Sequence, residues 1–419
     1  MGPDVPSRPA PNVTLRSLET AVPATELRQS EVRDALAAQP DLSRLGKRLI
    51  STSFDVSGIE RRYSALSEWH GVADGEEPVF FEAGTGRFLH PPTGARNQVY
   101  EREATALYER VAAAALEAAE GISAADVTHV ITVSCTGFFA PGPDYRIVRS
   151  LGLNSSVQRY HLGFMGCYAA LPALRQAQTI CRADPDAVVL MATVELCTLH
   201  VRPSNDPDTI VGSSLFADGG AAAIITGKDL PASTPLLELD HFETVLTPVG
   251  EEAMAWRIGD QGFEMVLGTY VPHIIDEHIT GALQPLFAHE PELAGLAHRD
   301  IEHWAIHPGG RSILDKVEAK LELTESQLVP ARETLRDFGN MSSATVMFVL
   351  QRILRSATAG RRERVCAMAF GPGLTVETAL LTTIGAPVAA EAATAAAEEL
   401  AAGGPAVRAS AAGGSAPRR

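Results

Sequence analysis

Three short segments of this 419-residue chain hold side chains that could do covalent chemistry. The first is Arg159-Tyr-His-Leu-Gly-Phe-Met-Gly-Cys167-Tyr-Ala-Ala-Leu-Pro-Ala-Leu-Arg175. A glycine precedes the thiol and an apolar, helix-like run follows it, which predicts a tight turn opening into a helix. The positive end of a helix favours a thiolate, the reactive form, so Cys167 is a candidate acyl-carrying nucleophile. A lone cysteine is also a common small core residue, and that reading stays open for the segment taken alone. The second segment is Trp304-Ala-Ile-His307-Pro-Gly-Gly-Arg311-Ser-Ile-Leu-Asp-Lys-Val317. His307 ends a strand-like run, and Pro-Gly-Gly lets backbone come close to a ligand before a helix begins. The plain alternative is a histidine that closes a strand. In the third, Asp337-Phe-Gly-Asn340-Met-Ser-Ser-Ala-Thr-Val-Met-Phe-Val-Leu350, a Gly-Asn pair opens a very apolar helix, where Asn is also a favoured N-cap.

Together the three fit one mechanism. A Cys167 thiolate, helped by a nearby imidazole, attacks a thioester and keeps the acyl group. A second thioester then loses its β-carboxylate as carbon dioxide. His307 and Asn340 donate hydrogen bonds to the resulting enolate oxygen, and the enolate attacks the acyl-Cys. No metal is required by this scheme.

Alternating strand-like and helix-like segments must position these residues. Val127–Val133, Ala187–Thr193 and Ala221–Thr226 are apolar runs rich in small or β-branched residues, as buried strands are. Ala104–Ala119 and Tyr168–Ala183 have helical composition and spacing. The alternation predicts an α/β fold. Asp126–Val133 resembles Asp300–His307 at an offset of 174 positions, and Gly166-Cys167 finds Gly339-Asn340 at an offset of 173. Chance can produce matches this short. If instead a unit of about 170 residues is duplicated, a pseudo-twofold axis brings Cys167 and Asn340 face to face.

A hydrophobic content of 45% supports a large core, and the formal net charge of −16 argues against nucleic acid as a general partner. It leaves room for an anionic small molecule on a local basic patch. The five cysteines, 135, 167, 181, 197 and 366, contain no CxxC pair, so neither a disulfide framework nor a zinc site is expected. The N-terminus lacks the apolar run of a signal peptide, and no stretch is long enough to span a bilayer. A cytoplasmic location is the expectation. Residues 1–12, rich in proline, are expected to be flexible, and the Ala/Gly-rich residues 389–419 to form a disordered tail.

Cys167, His307-Pro-Gly-Gly310, Gly339-Asn340-Met-Ser-Ser343 and Phe370-Gly-Pro-Gly-Leu-Thr-Val-Glu-Thr378 resemble the signature segments of type III polyketide synthases, the chalcone synthase family. The likeness runs from about residue 12 to 386 and keeps the family's order. It implies a thiolase fold of five αβαβα layers built from two duplicated halves, 13–235 with the nucleophile and 236–388 with His307 and Asn340. It further implies a homodimer and a Cys167–His307–Asn340 triad. An acyl-CoA starter and malonyl-CoA would be the substrates, with no other cofactor.

In Val211–Gly219, Phe216 matches a gatekeeper between the CoA tunnel and the cavity. The second gatekeeper falls at Met265, where an adaptable side chain would reshape the cavity. Cys135, Cys197 and His200 match cavity-lining positions. Gly310 and the loop Phe370, Gly371, Pro372 and Gly373 are expected to shape the substrate site. Ala140 matches a loop that reaches the partner's cavity. Arg61 and Arg62, in Gly58-Ile-Glu-Arg-Arg-Tyr63, match a basic stretch that contacts CoA phosphates, although a solvated surface pair reads the same way. Cys181 and Cys366 read as core. The cavity segments look more like bacterial members that make alkylpyrones or alkylresorcinols than like plant chalcone synthases. An aliphatic starter and a pyrone, resorcinol or related phenolic product are therefore implied. The rivals are a ketoacyl-carrier-protein synthase III, a cysteine hydrolase and a non-catalytic acyl-binding relative.

Overall fold

The computed structural model describes residues 11–388 apart from 74, 75, 269 and 294. The tail expected over 389–419, and all but the last two residues of the segment 1–12, lie outside the described residues. The frame is a nine-stranded mixed sheet in the order β13-β14-β15-β10-β1-β9-β8-β6-β7. Its strands are β1 (Thr14–Ala21), β6 (His129–Ser134), β7 (Gln158–Gly163), β8 (Val188–Leu196), β9 (Asp218–Thr226), β10 (Leu236–Leu246), β13 (His303–Ile306), β14 (Arg362–Gly371) and β15 (Thr375–Ile384). Outside it lie three antiparallel ribbons: β2 (Thr25–Arg28) with β3 (Arg61–Ser64), β4 (Phe81–Glu82) with β5 (Arg87–Phe88), and β11 (Met254–Gly259) with β12 (Gly262–Leu267).

The duplication is visible in the strand order. From the β1–β10 junction outward, β1-β9-β8-β6 on one side repeats β10-β15-β14-β13 on the other. Each side has two antiparallel pairings and then a parallel one. The similar segments Asp126–Val133 and Asp300–His307 fall on β6 and β13, which hold equivalent places. The two sides meet along a short seam, Thr14 opposite Glu238 and Leu15 opposite Leu237.

Helices cover both faces. α3 (Thr93–Ala118) lies outside on β1, β8 and β9, while α7 (Val271–Phe287) covers β10 and β15, and α9 (Glu325–Phe338) packs on β13 beside α8 (Arg311–Leu321). Between the two sides run α5 (Ala170–Ala183), which touches β6, β8 and β9 as well as β10 and β15, and α10 (Thr345–Arg355), which touches β1, β9 and β13. The layering is therefore αβαβα, with the half-sheets hydrogen-bonded into one. Both faces of β8 and β9 are covered and all nine residues of each are buried, which is why their sequences are largely apolar on both faces instead of alternating. Of the remaining helices, α1 (Gln29–Ala37) packs on α2 (Arg44–Val56), α2 on α6 (Pro207–Leu215), and α4 (Pro143–Ser150) on α3.

Candidate active site

Cys167 lies just beyond β7, in the turn that leads into α5. Phe164 in this turn has φ 61° and Gly166 has φ 81°, so the chain reaches the thiol through two left-handed residues. α5 begins at Ala170, two residues later than the composition suggested. The far half presses directly on this turn. A Cβ on Gly166 would stand 2.3 Å from Pro372 Cδ, and one on Gly371 would stand 2.4 Å from Tyr168 Cδ1. Both glycines are therefore required by close approach, and Gly371 and Pro372 act on the site by holding the nucleophile turn. Gly373, with φ 71°, turns the chain between β14 and β15.

His307 follows β13, and its backbone N–H donates to the Met368 carbonyl at 2.8 Å. Its ring is 1% exposed, and neither Nδ1 nor Nε2 has a hydrogen-bond partner. Asn340 is pinned through its backbone: its N–H donates to Leu215 O and its carbonyl accepts from Ala217 N, each at 2.9 Å. This makes a bridge to Phe216. The side-chain Oδ1 accepts from Ser342 N at 2.9 Å, opening the turn Ser342–Ala344 that precedes α10. Nδ2 donates to Gly309 O at 3.3 Å. One amide thus does both jobs weighed for it: its oxygen caps, and its NH₂ keeps a second proton for the cavity.

Cys167, His307 and Asn340 line one cavity of about 600 Å3, together with Cys135, Cys197, Phe216, Met265, Phe370 and Pro372. Burial pushes the Cys167 thiol up to about 12, against hydrogen bonds from Ser342 and Asn340 that lower it, and pushes the His307 imidazole down to about 3. Each charge alone would stand in a dry cavity, so burial disfavours a lone thiolate and a lone imidazolium alike. Proton transfer from sulfur to imidazole creates both charges at once, and each then offsets the desolvation of the other.

Arg62 is a correction to the sequence reading. Strand β3 alternates, so Arg61 faces outward and Arg62 inward. Arg62 is 1% exposed and donates to the carbonyls of Ser213, Ser214 and Phe216 and to Gln29 Oε1. It anchors the backbone of Phe216 and cannot meet a CoA phosphate. Arg61 is held by Asp337 at 3.3 Å.

A second cavity of about 390 Å3 shares Cys197, Phe216, Trp256 and Met265 with the first. His200 lines this second chamber instead of the main one. Its Nε2–H donates to Thr136 O at 2.8 Å, its Nδ1 accepts from Phe263 N at 2.9 Å, and its ring stacks on Phe263 at 4.3 Å. Burial pushes this imidazole down to about 3. Gly310 likewise lies off the main cavity. It lines a third, of about 750 Å3, together with Ser53, Val211, Leu215 and Arg311. That cavity shares Leu267, Gly309 and Ile313 with the first, which gives a route inward from the surface.

Three contributors escaped sequence reading. Trp256 walls both chambers and donates its Nε1–H to Cys135 O at 2.7 Å. Its signal was the alternation of a hairpin in which it sits opposite Met265. Glu195 is fully buried beside the thiols and accepts from Cys135 N at 3.0 Å and Thr136 Oγ1 at 2.8 Å; burial raises its carboxyl above the usual range. Arg311 is the basic side chain at the third cavity, and its side chain is 60% exposed. Among the described residues no cluster of His, Cys, Asp and Glu is arranged to hold a metal ion, and no helix is long and apolar enough to cross a membrane.

Residues 7–229 match the family model for the N-terminal domain of chalcone and stilbene synthases, and residues 238–385 match the model for their C-terminal domain. Type III polyketide synthase 10 of Oryza sativa subsp. japonica is 35% identical over 269 residues, which cover 61% of this chain and 66% of that protein's length. Among solved structures, PKS-I from the brown alga Ectocarpus siliculosus superposes with a TM-score of 0.81 at 27% identity, covering 90% of this chain and all of the other. The C-terminal type III polyketide synthase domain of Steely1, a type I/III hybrid from Dictyostelium, gives 0.79 at 26% identity, covering 89% of this chain and 99% of that domain.

Proposed function

Since the chain belongs to the chalcone and stilbene synthase family, matching the models of both its domains, we propose that it is a type III polyketide synthase that condenses an acyl-CoA starter with malonyl-CoA repeatedly. The observation that carries this reading is the convergence of a thiol, an unpartnered imidazole and an amide NH₂ on one cavity. They come from segments that lie far apart in the chain.

The starter thioester is attacked by Cys167 sulfur as its proton passes to His307; free CoA leaves, taking that proton, and the acyl group stays on sulfur. Malonyl-CoA then enters, and loss of carbon dioxide leaves an enolate. Its oxygen is held by donors on His307 and Asn340, in a site where water cannot screen them. The enolate carbon attacks the acyl-Cys carbonyl and expels the thiolate, which takes up one proton from solvent, and the chain leaves on CoA two carbons longer. Reloading on Cys167 repeats the cycle until the cavity folds the chain and it closes by lactone or aldol chemistry.

The cavity wall holds Phe216, Trp256 and Phe370 besides its cysteines and methionines; this apolar lining suits an aliphatic starter, and the product is then a pyrone, a resorcinol or a related phenolic. The chemistry needs no cofactor, since the CoA thioesters are its substrates. The enzyme works as a cytoplasmic homodimer, with the loop at Ala140 reaching the partner, and its units are the halves 13–235 and 236–388.

Mass spectrometry of products from short, medium and long acyl-CoA starters with malonyl-CoA tests the proposal. Starters extended by successive two-carbon units and cyclised are expected, with none from Cys167→Ala. A single condensation that demands carrier-bound malonate would make the protein a ketoacyl synthase instead. Free acid released without extension would make it a hydrolase, and undiminished product from Cys167→Ala would remove the thiol from the mechanism.

A further inference from the structure

The second chamber carries an inference that rests on the condensing reading. Its wall toward the reaction cavity is Cys197, Phe216, Trp256 and Met265, so an acyl tail growing or loaded on Cys167 reaches it by displacing the adaptable Met265. Beyond that wall the surroundings change character. Arg202 lines the chamber with its side chain 22% exposed. Its carboxylate partner, Glu264, stands 3.6 Å away, beyond hydrogen-bond distance, on a side chain 52% exposed.

A second guanidinium lies behind. Arg96 is 1% exposed, and its Nε and Nη1 donate to the carbonyls of Pro91 and Leu199, neutral groups that leave its charge uncompensated. It sits against Gly262, where an added Cβ would stand 3.0 Å from Arg96 Cδ and 3.1 Å from His200 Nδ1. Other nearby groups do not offset the pair. Both ring nitrogens of His200 are engaged, and the Asp206 carboxylate, which caps α6 through Thr209 N and Oγ1, is exposed, so water screens its charge. Arg202 at the chamber and Arg96 behind it, close enough to repel each other, are thus matched by one exposed and loosely held carboxylate, and the chamber is positive in a place where burial weakens screening. A tail that ends in methyl gains nothing from this field. One that ends in carboxylate gains a charge-assisted, potentially bidentate contact.

We propose that the second chamber binds the distal carboxylate of the starter, so that the preferred starters are CoA monothioesters of dicarboxylic acids, gripped by Arg202 with Arg96 reinforcing the field from behind.

The test sets CoA thioesters of equal chain length, ending in methyl or in carboxylate, in competition on the full chain with malonyl-CoA. The readout is the ratio of their kcat/KM values. Wild type is expected to favour the carboxylate about tenfold, the worth of one hydrogen bond to a charged group. Arg202→Gln should bring the ratio toward one. Glu264→Gln, which frees Arg202 from its neighbour, should raise it, and this exposed site keeps the test decisive where Arg202→Gln fails to fold. A wild-type ratio at or below one overturns the proposal, as does a ratio that both substitutions leave unchanged. Absence of extended product from every starter would count against the condensing reading itself.

Discussion

At the scale of single residues, the proposed chemistry joins a thiol that burial pushes up to an imidazole that burial pushes down. Replacing His307 with Gln keeps the volume and removes the proton acceptor, leaving a thiol that burial pushes up to about 12. Alkylation of Cys167 by iodoacetamide should then fall at least tenfold at neutral pH. It should climb about tenfold per pH unit above that, with no plateau near neutrality, because only the rare thiolate reacts. A plateau below pH ~8 in that variant would sink the account of the pair. Trp256 governs a different property. Trp256→Ala should merge the two chambers, and mass spectra should show products at least one malonyl unit longer than wild type makes; an unchanged product set would show that the wall does not limit length. The three side chains that meet at the cavity were legible because each lies in a short segment with its own glycine signature. Trp256 and Glu195 were not, because their roles come only from neighbours brought by distant strands.

At the scale of elements, the nucleophile turn is held by the loop between β14 and β15. Gly166→Ala would force a side chain into Pro372 at a residue with φ 81°. A loss of about 2–4 kcal/mol in urea unfolding is expected, combining left-handed strain with overpacking. Activity in the surviving folded protein should fall by at least tenfold; wild-type stability would mean that the loop yields freely. Helix and strand identities in the core were readable, since buried strands show as β-branched or alanine-rich runs. The start of α3 was not. It begins at Thr93 instead of near Ala104, because its first turns read as polar while Arg96 and Tyr100 are in fact buried. The Arg61–Arg62 pair failed for a related reason. Adjacent charges look alike in sequence, but a strand sends one out and the other in.

At the scale of the whole molecule, Asp337 at the end of α9 gathers Arg61 from β3, Arg336 beside it and Arg352 from α10. Burial raises its carboxyl, but the three guanidiniums outweigh this and hold it below the usual range. A carboxylate lowered in the folded state contributes above its unfolded value, ~3.9, and that contribution is lost as pH falls through the folded one. Asp337→Asn should therefore reduce stability by about 1–2 kcal/mol near neutrality, a figure kept small by the partial exposure of the arginines. The difference from wild type should vanish in acid; a deficit that persists at low pH would point to packing instead. The repeated half-sheets were foreshadowed by the 174-position offset, yet their fusion into one sheet was not, since a seam of two register pairs leaves no mark on periodicity. Chain order also sets an order in time. During synthesis the segment with Cys167 emerges well before the strand of His307 and the turn of Asn340, so the thiol exists for a while with no cavity around it. β1 can pair with β9 and β10 early, but the closure of Pro372 over Gly166 must wait for the last strands. The shelter that Pro372 gives the nucleophile turn therefore cannot form until the segment carrying it has been made and has docked on Gly166.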